Sequence, residues 1–234
     1  GSTVLALHNI IMNAPELSSL CARGLYNLTC VDSMYPLMER LIRTIISISS
    51  SNVGSVKHIC AAALCNLSDL KLMRPRLIEE GVIAVLGTIA RHAPTRTRRV
   101  CAVILQNLSA TRSCRVEMVI RSSVHVAHGL SSDKDPIILR CVGLTLARLS
   151  TEPANATRIV QEYGVAALIN IAMKFSAVPG ISQPVSTALQ LLSQQASTKI
   201  AVVQEGCVTS IAQLLHTSTD AFTLQNSLFA LSNL

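Results

Sequence analysis

The groups in this 234-residue chain that could do chemistry are a thiol near a base, a pair of histidines, and a run of arginines. His58, Cys60 and Cys65 set an imidazole near two thiols, the pairing that raises thiolate content in cysteine nucleophiles. His125 and His128, three residues apart, could share a metal ion on one helical face, but no third ligand stands near them. No glycine-rich phosphate loop, His-Glu-x-x-His helix or Gly-x-Ser-x-Gly elbow occurs. The chain is therefore expected to be non-catalytic, with no cofactor and no metal. Between 91 and 121 stand Arg91, Arg96, Arg98, Arg99, Arg112, Arg115 and Arg121 against Glu117 alone, a local +6 (7 minus 1) within a net charge of +7. Guanidinium forks suit carboxylates and phosphates.

The elements that must carry these groups repeat. A short phrase, Leu-x-Asn-Leu-Ser/Thr or a close variant, centres on residues 27, 66, 107, 148, 191 and 233, at spacings of 39, 41, 41, 43 and 42. A period near 41 indicates a solenoid of stacked helical units. Counting from the central residue as position 0, leucine fills −2 (Leu25, Leu64, Leu105, Leu146, Leu189, Leu231) and +1 (Leu28, Leu67, Leu108, Leu149, Leu192, Leu234). That spacing puts both on one helical face, which is the expected core. Small residues at −6 (Cys21, Cys60, Cys101, Val142, Val185, Ser227) let a neighbouring helix approach. Three of the eight cysteines are therefore packing residues, and with no Cys-x-x-Cys pair, reduced and buried thiols are expected.

Upstream, Pro15, Pro94, Pro136, Pro179 and Asp220 mark the loop into each long helix, while the second unit uses Ser49 to Gly54. Glu80-Gly81-Val82, Tyr163-Gly164-Val165 and Glu205-Gly206-Cys207 recur, with Ser122-Ser123-Val124 in register. Each glycine is expected to separate a short helix (76–80, 156–162, 198–205) from an apolar one (82–90, 165–173, 208–215). One unit is three helices: short, medium, long.

The order short helix, glycine, apolar helix, loop, then a helix ending Ala-x-x-Leu-x-Asn-Leu resembles the armadillo repeat over nearly the whole chain. The resemblance implies an all-α, right-handed superhelix of about six repeats, the first incomplete, with approximate bounds 1–31, 32–70, 71–111, 112–152, 153–195 and 196–234. It also implies that the long helices line a concave groove where the position-0 asparagine clasps the backbone of an extended peptide; Asn27, Asn66, Asn107 and Asn233 match, whereas Arg148 and Leu191 depart. Polar residues at −8, including His58, Arg99, Arg140, Gln183 and Gln225, and Arg23 at −4, are expected to face the same groove. The groove is unlike that of importin alpha, which it resembles otherwise, because the chain has no tryptophan to stack on lysine stems.

With Arg99 on one long helix and Arg140 and Arg148 on the next, the leading expectation is a scaffold for an extended acidic or phosphorylated protein segment, nearer the beta-catenin type. Six units at about 10 Å per helix layer give a trough of roughly 60 Å. That holds on the order of 18 extended residues. One alternative is a docking or regulatory segment of a larger cytoskeletal, motor or enzyme protein, because the chain starts within a unit and stops at Leu234 without a polar capping helix. Further repeats or end-to-end self-association belong with that reading. A lesser alternative is nucleic-acid binding through the basic cluster, against which aromatic residues are only 3% of the chain, sparse for base stacking. No apolar run approaches the roughly 18 residues of a membrane span. Free thiols place the chain in the cytoplasm or nucleus.

Overall fold

A computed structural model describes residues 6, 9–10, 17–30, 38–49 and 53–234. Pro15 and residues 50–52, expected to mark two of the loops, lie outside the described residues. The long helices are α1 (Ser18–Thr29), α3 (Gly54–Asp69), α6 (Thr95–Ser109), α9 (Pro136–Ser150), α12 (Pro179–Ser193) and α15 (Ala221–Asn233). Between them come the medium helices α2 (Met38–Ile48), α5 (Val82–His92), α8 (Ser123–Ser131), α11 (Gly164–Phe175) and α14 (Cys207–Thr217). The short helices are α4 (Arg74–Glu79), α7 (Arg115–Ile120), α10 (Ala156–Gln161) and α13 (Lys199–Gln204). Long helix packs on long helix from each unit to the next, medium packs on medium from α5 through α8 and α11 to α14, and among the described residues the substantial helix pairings stay within one unit or between neighbours. This is an armadillo-type solenoid rather than a closed globule.

The leucine columns explain the stacking. From the second unit to the fifth, every leucine at −2 and +1 is fully buried or nearly so, as are the small residues at −6 throughout. Position −6 is small where α9 meets α12, and so is Gly143 next to it: a Cβ at Gly143 would sit 3.5 Å from both Pro184 Cγ and Val185 Cγ2. The helix ends are closed by side chains from the next element. Arg74 and Arg115 donate through Nε to the carbonyls of Ser68 and Ser109, and Asn155 Nδ2 and Thr198 Oγ1 donate to those of Leu149 and Leu192. Each satisfies a carbonyl that a helix C-terminus leaves without an internal donor.

The expected glycine column is displaced by one residue in the fifth unit. The left-handed residue before each medium helix is Gly81 (φ 90°), Ser122 (φ 62°), Tyr163 (φ 65°) and Gly206 (φ 87°). Gly164 is instead the first residue of α11, and its lack of a side chain serves packing: a Cβ would lie 2.5 Å from Ile159 Cγ2 and 2.6 Å from the Ile159 carbonyl oxygen. A steric demand for glycine and a conformational demand for glycine fall one position apart, and sequence alone merges them.

Candidate partner-binding groove

Positions −8, −4 and 0 fall one turn apart along each long helix, so they form a single stripe on its outward face. Arg23, Asn27, Arg99, Arg140, Gln225 and Asn233 are exposed or partly exposed there, and His58, Asn66, Asn107, Arg148 and Gln183 are half-buried. The half-buried members are held by hydrogen bonds that run between units.

Position 0 reaches backward. Asn66 Nδ2 donates to Thr29 Oγ1 (3.1 Å) and Cys30 Sγ (3.4 Å), Asn107 Nδ2 to Ser68 Oγ (3.0 Å) and Asp69 Oδ1 (2.7 Å), and Asn233 Nδ2 to Ser193 Oγ (3.1 Å). The acceptor is each time the Ser or Thr two residues past position 0 of the preceding unit. In the fourth unit Arg148 takes over, donating through Nη1 to the Gln106 carbonyl at 2.8 Å. Burial lowers the pKa of Arg148, helped by the nearby charges of Arg115 and Arg74. Both amide hydrogens of Asn66 and Asn107 are thus engaged inside the solenoid, and Oδ1 is the group each can offer a partner N–H.

Position −8 reaches forward, to the start of the next long helix. His58 Nδ1 lies 3.0 Å from Thr97 Oγ1, Arg99 pairs with Asp135, and Gln183 Nε2 donates to Asp220 Oδ1 at 3.0 Å. Asp135 and Asp220 also cap those helices, Asp135 accepting from the N–H groups of Ile137 and Ile138 and Asp220 from that of Thr223. The Arg99 hydrogen bond, with those two N–H donors, holds the Asp135 carboxyl below its ordinary range. Burial, with the charge of Arg96 nearby, lowers the pKa of His58.

The basic cluster is not a face of free charge. Arg98 pairs with Asp133 at 3.0 Å, Arg112 and Arg115 share Glu152 at 3.0 and 3.4 Å, and Arg121 pairs with Glu117 at 2.7 Å. With Arg99 on Asp135, that leaves Arg91 and Arg96 exposed and without an ion pair among the described residues. Counting charge along residues 91–121 overstated the excess because three of the four neutralising carboxylates, Asp133, Asp135 and Glu152, lie beyond that stretch.

One feature of the stripe was not legible beforehand. Between α9, α12 and α15 the surface dips into an apolar cavity of about 290 Å³, lined by Leu144, Ala147, Pro184, Thr187 and Phe222 with Arg148 at its wall. Leu144 and Thr187 are the −4 residues of their units; Pro184, inside α12, and Phe222, half exposed on α15, carried no sign of a shared site.

The thiol and histidine candidates are placed otherwise. Cys60 is buried and its thiol is pushed up to about 11 by burial, opposite to the depression a nucleophile needs. His125 is exposed, while His128 is half-buried against the Tyr163 ring at 5.3 Å between centroids. Among the described residues no group of three His, Cys, Asp or Glu side chains could hold a metal ion, and no helix is long and apolar enough to cross a membrane.

No protein-family model and no curated protein matches the chain. Solved structures do. Computationally designed armadillo repeat proteins for modular peptide recognition are similar at 14% identity and a TM-score of 0.78, over 99% of this chain and 98% of that one. A designed armadillo repeat protein in complex with the peptide (KR)4 is similar at 12% identity and a TM-score of 0.74, over 99% and 98%. A structure described with a phosphorylation switch controlling the interaction between cadherin and beta-catenin is similar at 17% identity and a TM-score of 0.74, covering 97% of this chain and 44% of that one. These likenesses establish the armadillo-type fold.

Proposed function

We propose that the chain is a non-catalytic scaffold that binds an extended segment of a protein partner, acidic in character, along the stripe of its long helices. The observation that carries this reading is the polar ladder itself. Side chains at −8 and 0 are held by inter-unit hydrogen bonds, so a row of amide and guanidinium groups is fixed before a partner arrives. Preorganisation of this kind lowers the entropic cost of binding a flexible segment. The structural neighbours described with the peptide (KR)4 and with cadherin and beta-catenin support binding of a protein segment, while the acidic character rests on the arginines of this chain. Nucleic acid is the weaker reading, since the paired arginines leave few cations to neutralise a phosphate backbone. The scaffold reading includes a cytoplasmic or nuclear setting.

The test is selection of random 16-residue peptides on the protein by ribosome display. Enriched peptides should lose at least tenfold in affinity on an Ala62→Glu, Val103→Glu double variant, which puts carboxylates into the −4 row. Equal affinity for both proteins would contradict the groove.

A second reading, stacking on a second copy or on further repeats, rests on α15. Leu228 (57% exposed) and Leu231 (45%) occupy columns that are buried in every earlier unit. Sedimentation should then show dimers that a Leu228→Glu variant abolishes; a monomer at all concentrations would contradict self-association.

A further inference from the structure

The forward ladder has a gap, and the gap adjoins the apolar cavity. At position −13, the cap of the next long helix, stand Asp135 opposite Arg99 and Asp220 opposite Gln183. Opposite Arg140 the corresponding residue is Val178, which caps α12 without a side-chain hydrogen bond. Arg140 is exposed and has no ion pair or hydrogen bond among the described residues, although it occupies the column in which Arg99 is neutralised. One turn along α9 from Arg140 lies Leu144, at the edge of the cavity formed with Ala147, Pro184, Thr187 and Phe222. The guanidinium in the cavity wall, Arg148, is already committed to the Gln106 carbonyl.

Building on the groove reading above, we propose that Arg140 and this cavity are the section of the groove that selects the partner. They take a segment in which a carboxylate side chain stands beside a large apolar one. The carboxylate occupies the place that an aspartate at 178 would fill, accepting from the planar guanidinium fork, and the apolar side chain enters the cavity. A single uncompensated guanidinium matches a single-charge carboxylate. Residues four apart on a helix have Cβ atoms about 5–6 Å from each other. Residues two apart on one face of an extended chain are roughly 7 Å apart. The two subsites can therefore be filled from one short stretch of partner. The units to either side bind by backbone contact, so specificity concentrates here.

The display selection provides the test. Peptides enriched on the wild-type protein should carry Asp or Glu within two residues of Leu, Ile, Met or Phe. Their affinity should fall at least tenfold with Arg140→Gln and stay within threefold with Arg158→Gln, which also removes one positive charge but from a guanidinium already paired with Glu162. Val178→Asp is the sharper variant. It restores the missing cap and supplies Arg140 with an internal carboxylate, so melting temperature should hold or rise while peptide affinity drops at least tenfold. Enriched peptides without the acidic and apolar pair, or affinities unmoved by Arg140→Gln and Val178→Asp, overturn the selection site and leave the groove standing. Peptides indifferent to Ala62→Glu, Val103→Glu overturn both.

Discussion

Asn107 donates through Nδ2 to Ser68 Oγ, 3.0 Å away and 39 residues earlier, and the same nitrogen donates to Asp69 Oδ1 at 2.7 Å. The residue that the armadillo resemblance assigns to a partner is therefore also a structural tie between units. Asn107→Ala should cost on the order of 1 kcal/mol in urea denaturation. Asn107→Asp should cost more, because it removes both donors and sets a second carboxylate against Asp69. Equal stability for the two variants would remove this tie from the account.

Two glycines make opposite predictions. Gly164→Ala should destabilise by about 1–3 kcal/mol, since the new methyl meets the Ile159 carbonyl oxygen at 2.6 Å and backbone cannot step aside. Gly180→Ala, in α12 with nothing within 4 Å, should be neutral or stabilise by up to about 1 kcal/mol through helix propensity. Thermal melts of both variants check the pair.

Acid should loosen the solenoid at its ladders. Glu80, Asp135, Glu152 and Asp220 all have native pKa values held down, Glu80 chiefly by the Arg43 hydrogen bond, Asp135 by Arg99, Glu152 by Arg112 and Asp220 by the Thr223 N–H. A depressed native value contributes stability that is complete above the unfolded value and disappears as pH falls through the folded one. Glu205 acts with the opposite sign, its pKa raised by burial, so it favours the folded state slightly as it protonates. Four groups outweigh one. His58 and His128, whose native pKa values are lowered chiefly by burial, add a gentle loss as pH falls below about 6.5, so the melting temperature should slope down slightly from there and decline more steeply below about pH 4. A rise in stability between pH 4 and pH 3 would contradict these pairings.

Thiol reactivity separates surface from core. Cys30 is exposed, whereas Cys60 and Cys101 are buried with thiols pushed up to about 11 and about 12 by burial. At pH 8 a disulfide reagent should modify Cys30 rapidly and reach Cys60 and Cys101 only on unfolding, followed by peptide mass mapping. Rapid labelling of Cys60 in the folded protein would reopen the nucleophile reading.

The fold was legible in the sequence because its determinants are local and periodic: leucines three apart, small residues at −6, and breakers between helices all recur within a unit. The site was legible only as columns. Which member of a column is available to a partner depends on a residue in the next unit, as Asp135 decides for Arg99 and Val178 for Arg140, 36 and 38 residues away. The cavity draws on three long helices, and Pro184 and Phe222 enter it through the angle at which units stack. Tyr163 in the left-handed region has no local sign either.

Photo-crosslinking tests most directly whether the long-helix stripe receives an extended polypeptide. A benzophenone amino acid is placed at Ala62, Val103 or Thr187 in the −4 row, and at the exposed Ala84 and Asn170 on the medium helices. With a display-selected peptide bound, adducts are predicted at 62, 103 and 187 and not at 84 or 170. Adducts confined to 84 and 170 would place the partner on the opposite face and contradict the account.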